Sequence, residues 1–559
     1  MFDNFLDWNP QFFREIKGRV KPKNIILASV VSIITQLLIV LAYLGDLPDN
    51  NSLVTQYSHY CLGIIYDRHG VTRGVCDTNS AGEWIINWQL FWLDIFLCLS
   101  IISIFSLLVA GSYMLIADLT KEERKGTLNF IRLTPQSATD VLFGKILGVP
   151  IILYWVILLT LPLNFIAGLK AHIPLSLIGG FYAVMIASCA FFYSAAILLS
   201  LLNFAPAGFK PWLSSGAILV FLFVNNIIAL AGDSFSNTAF DWLTIFYPGR
   251  VLAYLTDATS LYLRNGRGFY FDGLEDLLFY GQSWWVKPDI GMSLIIGNYL
   301  LWTYWLWRGL KRRFHSPTNT VLSKEQSYWF TGCFVAVALG FTLQTNRYRY
   351  LFDNFILLQV LLLVMFLGLI AALSPHRQTL HDWARYRHQM GKDGNKLWKE
   401  LIFGEKSPST VAIAINLTIA TVYILPSLFL FPFKDNLSSV LWGLLISANT
   451  ILLYALIAQL ILGMKSQKRT IWAATSILAL IIAPFIGSAL FGTNVEGYSL
   501  LRLFTFIPTE TLQYAVPLSS IMITVLGQWL AIALLSFQMT RKLRQASASE
   551  TKILFSSRG

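Results

Sequence analysis

Apolar positions along this chain gather into long runs broken by short polar punctuation: 24–44, 90–117, 146–168, 174–202, 213–232, 289–307, 328–345, 351–374, 410–432, 437–463, 470–492 and 517–539. A helix needs about 20 such residues to cross a hydrocarbon core of roughly 30 Å. The pattern therefore predicts an all-α integral membrane protein with about twelve transmembrane helices. The first run follows a 23-residue polar segment, too long for the n-region of a cleaved signal, and is read as a retained span. A further apolar stretch, 242–263, contains Pro248, Gly249, Arg250 and Asp257. Counting it as a span would place Arg308, Lys311, Arg312 and Arg313 outside, against the positive-inside rule, so it is expected to be amphipathic structure on the outer surface.

The map repeats itself. Each half has a long outward loop before its last span, and each has its largest cytoplasmic segment between its second and third spans, at 118–145 and 375–409. Within those segments Leu142-Phe143-Gly144-Lys145 aligns with Ile402-Phe403-Gly404-Glu405-Lys406 at an offset of 260. Two six-helix modules are the economical reading. The expected organisation is an N-terminal interfacial helix in 1–23, a first module in 24–310 with an outer amphipathic region at 233–288, a linker at 311–326, a second, diverged module in 327–540 and a tail at 541–559.

Composition agrees with this picture: 55% of residues are hydrophobic and 13% charged, against roughly 45–50% and about 25% in soluble domains. The net charge of +12 would suggest nucleic acid as a partner of a soluble protein. Here, with the N-terminus inside, 31 of the 42 basic residues fall on the cytoplasmic side, so the charge reads as orientation; both termini are expected inside and no nucleic acid is expected. Five cysteines exclude a disulfide scaffold and offer no CxxC pair. His59, Cys61, His69 and Cys76 share the first outer loop, where an oxidising compartment favours a Cys61–Cys76 disulfide over a metal. Cys98, Cys189 and Cys333 fall within spans and suit packing.

Two cytoplasmic segments carry more information. Trp8, Phe12, Phe13, Ile16 and Val20 recur at helical spacing among Arg14, Lys17 and Arg19, which predicts a helix lying in the membrane interface, with Trp8, Phe12 and Arg14 as anchors. In 118–135, Thr120 followed by Glu123 forms a capping box at the start of a short helix, Pro135 stops it, and Ser137 with Asp140 starts another. That helix would present its charges with Leu128, Phe130 and Ile131 to a soluble partner.

These residues carry a resemblance. The helix beginning Asn9-Pro10, the run Glu122-Glu123-Arg124-Lys125-Gly126-Thr127-Leu128 with Phe130, Arg132-Leu133-Thr134-Pro135, and Phe143-Gly144-Lys145 resemble the permease subunit of type-2 ATP-binding-cassette (ABC) exporters over about the first 310 residues. The resemblance implies an elbow helix, a coupling helix between spans two and three that docks a separate cytoplasmic ATPase through Glu122, Glu123, Arg124, Gly126, Thr127 and Leu128, and ATP bound by that partner, with no cofactor in this chain. It implies export across a bacterial plasma membrane. The second half lacks the acidic-Gly-Thr core, although Leu397 to Ser407 could supply a second docking helix, so either one chain completes the pathway or a second permease chain pairs with it.

Other chemistry is weak. His376, His381 and His388, five and seven residues apart, share no helix face and lie among Arg377, Arg385 and Arg387, which fits a basic surface rather than a metal site. Phe403-Gly404-Glu405-Lys406-Ser407 lacks the glycines of a phosphate loop. Asp94 and Asp353 sit near outer span ends, leaving the middles without the carboxylate that an ion-coupled carrier often keeps. The neutral Gln36, Asn164, Asn225, Asn226, Asn298, Gln359, Asn416, Asn449 and Gln459 suit interhelical hydrogen bonds. An aromatic share of 14% suits either interfacial belts or a path for an amphipathic substrate. The alternatives are a secondary transporter of major-facilitator-like layout and a membrane enzyme acting on lipid-linked substrates, whose best outer cluster, Asp67, His69 and Asp77, matches no catalytic spacing.

Overall fold

A computed structural model describes residues 9–48, 59–61, 63–66, 72–76, 79–80, 84–202, 206, 208–231, 238–259, 261, 274, 277–344, 348–390, 394–430, 437–491, 500–512 and 516–556. Among them, ten helices are long and apolar enough to cross a membrane, which makes the chain a multi-pass helical membrane protein. Two more, Pro288–His315 and Lys324–Thr342, coincide with expected runs but are less apolar, the former carrying Tyr299, Trp302, Tyr304, Trp305 and Trp307. The helix at the second run is longer than expected, Trp88 to Lys125, with a turn of π-helix at Ser106–Ala110. In the loop between the first two membrane helices the strands Gly63–Tyr66 and Thr72–Val75 pair antiparallel, and a Cys61–Cys76 disulfide closes their base.

The chain divides into two compact units, one comprising Met1–Ser236, Asp241–Leu277 and Ser283–His315, the other Asn237–Phe240, Leu278–Gln282 and Ser316–Gly559. The 233–288 region, expected wholly in the first module, is thus shared out. In the second unit Tyr280 donates its N–H to Gly340 O (2.8 Å) and its hydroxyl to Ala336 O (2.6 Å), and Gln344 donates to Thr238 O (2.7 Å). Phe279 packs against Gly340, where a Cβ would come within 2.1 Å of the ring.

In the first unit Leu175–Leu201 packs along Pro288–His315. The stretch expected to lie on the outer surface is instead interior. Asp241–Thr244, a 3-10 turn at Pro248–Val251 and Leu252–Asp257 are short helices, and every residue from Thr244 to Thr256 is buried. Ile245, Phe246 and Tyr247 before the turn and Val251 to Leu255 after it present apolar side chains all round, leaving no face for water, and Arg250 between them is buried as well. Trp285, three residues before the last helix of this unit, is buried beneath the same segment and accepts a hydrogen bond from Tyr254 at its carbonyl. Trp88, Trp284 and Trp329 are exposed.

The second unit repeats the device before its own last helix. The 3-10 turn Leu500–Phe504 and helix Pro508–Leu512 are received by Leu437–Leu462. Ser439 and Ser447 donate to Leu512 O and Phe506 O, at 2.8 and 2.9 Å, and Gln359 donates to Thr509 Oγ1 at 2.6 Å. Most of the neutral polar residues in the apolar runs do tie elements together. Gln36 reaches Leu159 O, Asn164 reaches Phe96 O and Ser100, Asn226 accepts from Tyr247, Asn298 from Trp242, Asn416 joins Ser327 and Thr331, and Gln459 joins Ser374 and Ser409. Asn225 bonds within its own helix, to Phe221 O. Such bonds remove polar groups from lipid at about 0.6–2 kcal/mol each.

Thr509 is seated on Gly443, where a Cβ would fall 2.0 Å from its hydroxyl oxygen. Gly443→Ala is therefore expected to lower stability by about 1–3 kcal/mol through overpacking and loss of the Gln359 bond. Thermal unfolding in detergent reads this, and an unchanged midpoint would show that Thr509 does not sit there.

Candidate functional site: a buried charge cluster beneath an exposed apolar tip

Four helices meet at one end of the first unit. The N-terminal helix, Pro10–Arg19, starts at Asn9, whose side chain accepts from Phe12 N (3.0 Å), with Pro10 in the first turn, where its missing N–H costs nothing. The same Asn9 donates through Nδ2 to Asp140 O (2.7 Å), which fixes the helix on Ala138–Gly148. That helix starts, as expected, at Ser137, which accepts from Asp140 N (3.1 Å). Two glycines let the pair approach: a Cβ at Gly144 would lie 2.7 Å from Asn9 Oδ1, and one at Gly148 would lie 2.6 Å from Glu15 Cβ.

Lys145 projects from this contact with no solvent exposure. Its Nζ donates to Glu15 Oε1 (2.9 Å) and Asp118 Oδ2 (2.6 Å) and pairs with Glu122 Oε2 (2.9 Å). Arg14 pairs with Glu122 and Arg19 with Asp118 and Glu15, so three carboxylates meet three cations. Burial alone would raise the Glu15 carboxyl, but Lys145, Arg19 and Arg14 hold it below its ordinary value. Burial alone would lower the Lys145 ammonium, and Asp118, Glu15 and Glu122 together hold it above its ordinary value. The carboxylates of Glu15, Asp118 and Glu122 lie close enough together to ligate a metal. The Lys145 ammonium, in contact with all three, already supplies the cation at their centre.

The sequence-predicted coupling residues are distributed differently from expectation. Thr120 caps nothing: it is buried inside the continuous helix Gly111–Lys125, because the preceding span does not end where the capping box suggested. The break comes at Gly126, with φ +73°, a left-handed conformation that glycine adopts without strain. Glu122 faces inward, into the cluster, and Glu123 lies 3.6 Å from the buried Lys210. Arg124 and Thr127 are exposed. Leu128 and Ile131, expected to face a partner, are buried in the core with Leu115, Val141, Leu142 and Phe314. Residues three apart share a face, so the other face of Thr127–Arg132 and its cap carries Phe130 and Leu133, 73% and 85% exposed.

Phe12 and Arg14, expected as membrane-surface anchors, are engaged by the protein: Phe12 packs at Gly144 and Gly148, and Arg14 pairs with Glu122. Trp8 lies outside the described residues. Glu15, Asp118 and Lys145 were not singled out as a site from sequence. The signals were faint: one acid in a basic helix, two acids four apart on one face, and one lysine in an apolar Phe-Gly-Lys-Ile-Leu run. Comparison with models of protein families, with curated proteins and with solved structures gives no match.

Lys145→Met would leave three carboxylates facing two arginines and is expected to destabilise by about 3–5 kcal/mol, the usual loss when one partner of a buried ion pair is removed. The pH dependence follows from the two directions. A carboxyl held below its ordinary value of 4.5 contributes stability above that pH and loses it as pH falls through the folded value. An ammonium held above 10.5 contributes below that pH and loses it as pH rises through the folded value. Thermal unfolding should show a plateau between these limits, and Glu15→Gln should weaken the acid-side loss.

Proposed function

We propose that this chain is the permease subunit of a type-2 ABC exporter, driven by a separate cytoplasmic ATPase. The observation that carries the reading is the exposed Phe130–Leu133 tip mounted on the buried Lys145 cluster. An apolar tip without internal packing suits insertion into a partner's cleft, and a neutral ionic lock at its base suits transmission of force. On this reading Pro10–Arg19 is the elbow helix, Pro288–His315 and Lys324–Thr342 complete twelve spans, and both termini lie in the cytoplasm of a bacterial cell. The second unit offers a second apolar surface between its second and third spans, where Trp398 and Phe403 on Gly394–Phe403 are 62% and 54% exposed. Two such surfaces in one chain fit a pair of ATPase subunits. The substrate is amphipathic, in keeping with the aromatic content.

Detergent extraction from the native host, followed by purification of the full chain, tests this. A nucleotide-binding subunit should accompany the wild type and be lost from Phe130→Asp/Leu133→Asp, with the unfolding midpoint unchanged because neither side chain is packed. If no such subunit accompanies the wild type, or if it stays bound to the double variant, the reading fails.

A second reading has one observation in its favour. Asp94 is buried in the Trp88–Phe105 helix, with Tyr60 donating to it (3.1 Å) and His59 Nε2 3.2 Å away, a pairing that would serve a proton-coupled carrier. Transport abolished by Asp94→Asn and indifferent to ATP would favour it.

A further inference from the structure

The tip that carries Phe130 and Leu133 has a charged surround that the ion cluster behind it does not absorb. Between positions 121 and 136 stand four cations, Lys121, Arg124, Lys125 and Arg132, and two acids, Glu122 and Glu123. Both acids are engaged elsewhere: Glu122 meets Lys145 and Arg14, and Glu123 lies 3.6 Å from the buried Lys210. Lys121, Arg124 and Lys125 are exposed, and among the described residues none of them has a carboxylate partner. At spacings of three and four they share one face of the helix Gly111–Lys125, where like charges repel. The negative end of the helix dipole eases Arg124 and Lys125 in the last turn, but not Lys121 one turn earlier. Arg132 donates to Asn129 Oδ1 (3.0 Å) and stands 5.8 Å above the Phe314 ring, and its buried Nε meets no acceptor. Burial holds this guanidinium below its ordinary value, and Glu123 offsets the effect only in part. The position of the surface argues against lipid as its occupant. Lys125 lies eight residues beyond the apolar run 90–117, about 12 Å of helix, whereas headgroups take up roughly 5–8 Å on each side of the hydrocarbon.

We propose that the tip is received by a cytoplasmic protein whose apolar cleft is rimmed by carboxylates, with Phe130 and Leu133 entering the cleft and Lys121, Arg124, Lys125 and Arg132 meeting the rim. The proposal rests on the reading of the tip as the ATPase-docking surface and names the chemistry of the surface that receives it. The two parts act on different steps. The exposed phenyl and leucyl side chains gain from burial in an apolar cleft and so set how fast the partner leaves. The unopposed cations attract an oppositely charged rim over a Debye length of about 8 Å at physiological salt, and so set how fast it arrives. The same cations repel a cleft with a basic rim, so the charge pattern also selects among partners of similar shape.

The test uses the full chain in phosphatidylcholine nanodiscs and the nucleotide-binding subunit that accompanies it from the native host, with association and dissociation followed by surface plasmon resonance from low to high potassium chloride. Association should slow steeply as salt rises. Lys121→Gln/Arg124→Gln/Lys125→Gln should slow it by about tenfold at the lowest salt, converge on the wild type at the highest and leave dissociation unchanged. Phe130→Ala/Leu133→Ala should instead speed dissociation and keep the salt dependence. A zero-length carbodiimide, which joins an amine to a carboxylate in contact with it, should couple Lys121 or Lys125 to an acidic residue of the subunit, read by mass spectrometry. A bound subunit that is indifferent to salt and to the three cations, or that yields no such cross-link, would overturn the proposal and leave the transport reading standing. Absence of any subunit at every salt concentration would overturn both. Cross-links to a second copy of the chain would assign the surface to self-association, and loss of the salt dependence in nanodiscs containing phosphatidylglycerol would assign the cations to lipid headgroups; either result would overturn the proposal too.

Discussion

A lysine ammonium with no access to water has to be solvated by the protein, and at Lys145 that requirement organises one end of the first unit. Removing a single ion from water costs several kcal/mol even after relaxation, and one surface pair returns about 1 kcal/mol or less. Three carboxylates within 2.6–2.9 Å, themselves braced by Arg14 and Arg19, meet the demand where one would not. The three acids and the lysine arrive on three elements: Glu15 on the N-terminal helix, Asp118 and Glu122 on the helix that descends from the second span, and Lys145 on the helix that leads into the third. Separating any one of them strands charge in a poorly hydrated space. The bare backbone at Gly144 and Gly148 is part of the same requirement, since a methyl group at Gly148 would meet Glu15 itself and one at Gly144 would meet Asn9 and Phe12 on the helix that carries it.

The second unit meets the same problem with different chemistry. Lys324, 2% exposed, starts the first helix of that unit and donates to Leu401 O (2.7 Å), Ser407 Oγ (2.6 Å) and Pro408 O (3.0 Å). Leu401 lies in the last turn of Gly394–Phe403, where unpaired carbonyls and the negative end of the helix dipole welcome a cation. Ser407 adds to the cap by donating to Glu400 O and Gly404 O. Burial pushes this lysine down to about 8. In both units a buried lysine joins the start of the first helix to the segment between the second and third, with the lysine on opposite partners. The joint in the first unit is ionic and insensitive to pH near neutrality, whereas that in the second is dipolar and gives up its proton much more readily.

Much of the fold was legible because membrane helices are written in long uniform runs. The helix Leu175–Leu201 lies within a residue of the apolar run 174–202, and Leu437–Leu462 within a residue of 437–463. Local signals failed where tertiary context outweighed them. Thr120 and Glu123 form a good capping box, but the helix arriving from the membrane does not stop there, so no free N–H groups exist for it to cap. Leu128 and Ile131 were read as a partner-facing surface because nothing in sequence says which of two faces of a short amphipathic helix meets the bundle; Phe130 and Leu133 turned out to be the outer one. The stretch 242–263 was rightly denied a span by Pro248 and Gly249, yet its packing inside the unit depends on cavities between helices that no local pattern encodes. The charge cluster was least legible of all, since Glu15 and Lys145 are 130 residues apart.

The geometry above the cluster bears on how far a displacement at the tip can travel. From Trp88 to Lys125 the chain runs as one rod of 38 residues, about 57 Å long, which is roughly twice the thickness of the hydrocarbon core. Glu122, near its end, is clamped by Lys145 and Arg14, and the tip begins one turn later at Gly126, tied back to the rod by Leu128 and Ile131, which share a core cluster with Leu115 and Leu119. Inside the membrane the rod has a defined weak turn, the π-helical Ser106–Ala110, where the regular hydrogen bonding is shifted by one residue. Tyr193 covers it, donating to Leu107 O (2.8 Å), with its ring occupying the space a side chain at Gly111 would need. The rod thus has two distinct fastenings, the charges that clamp its end and the Tyr193 contact that covers its one π-helical turn.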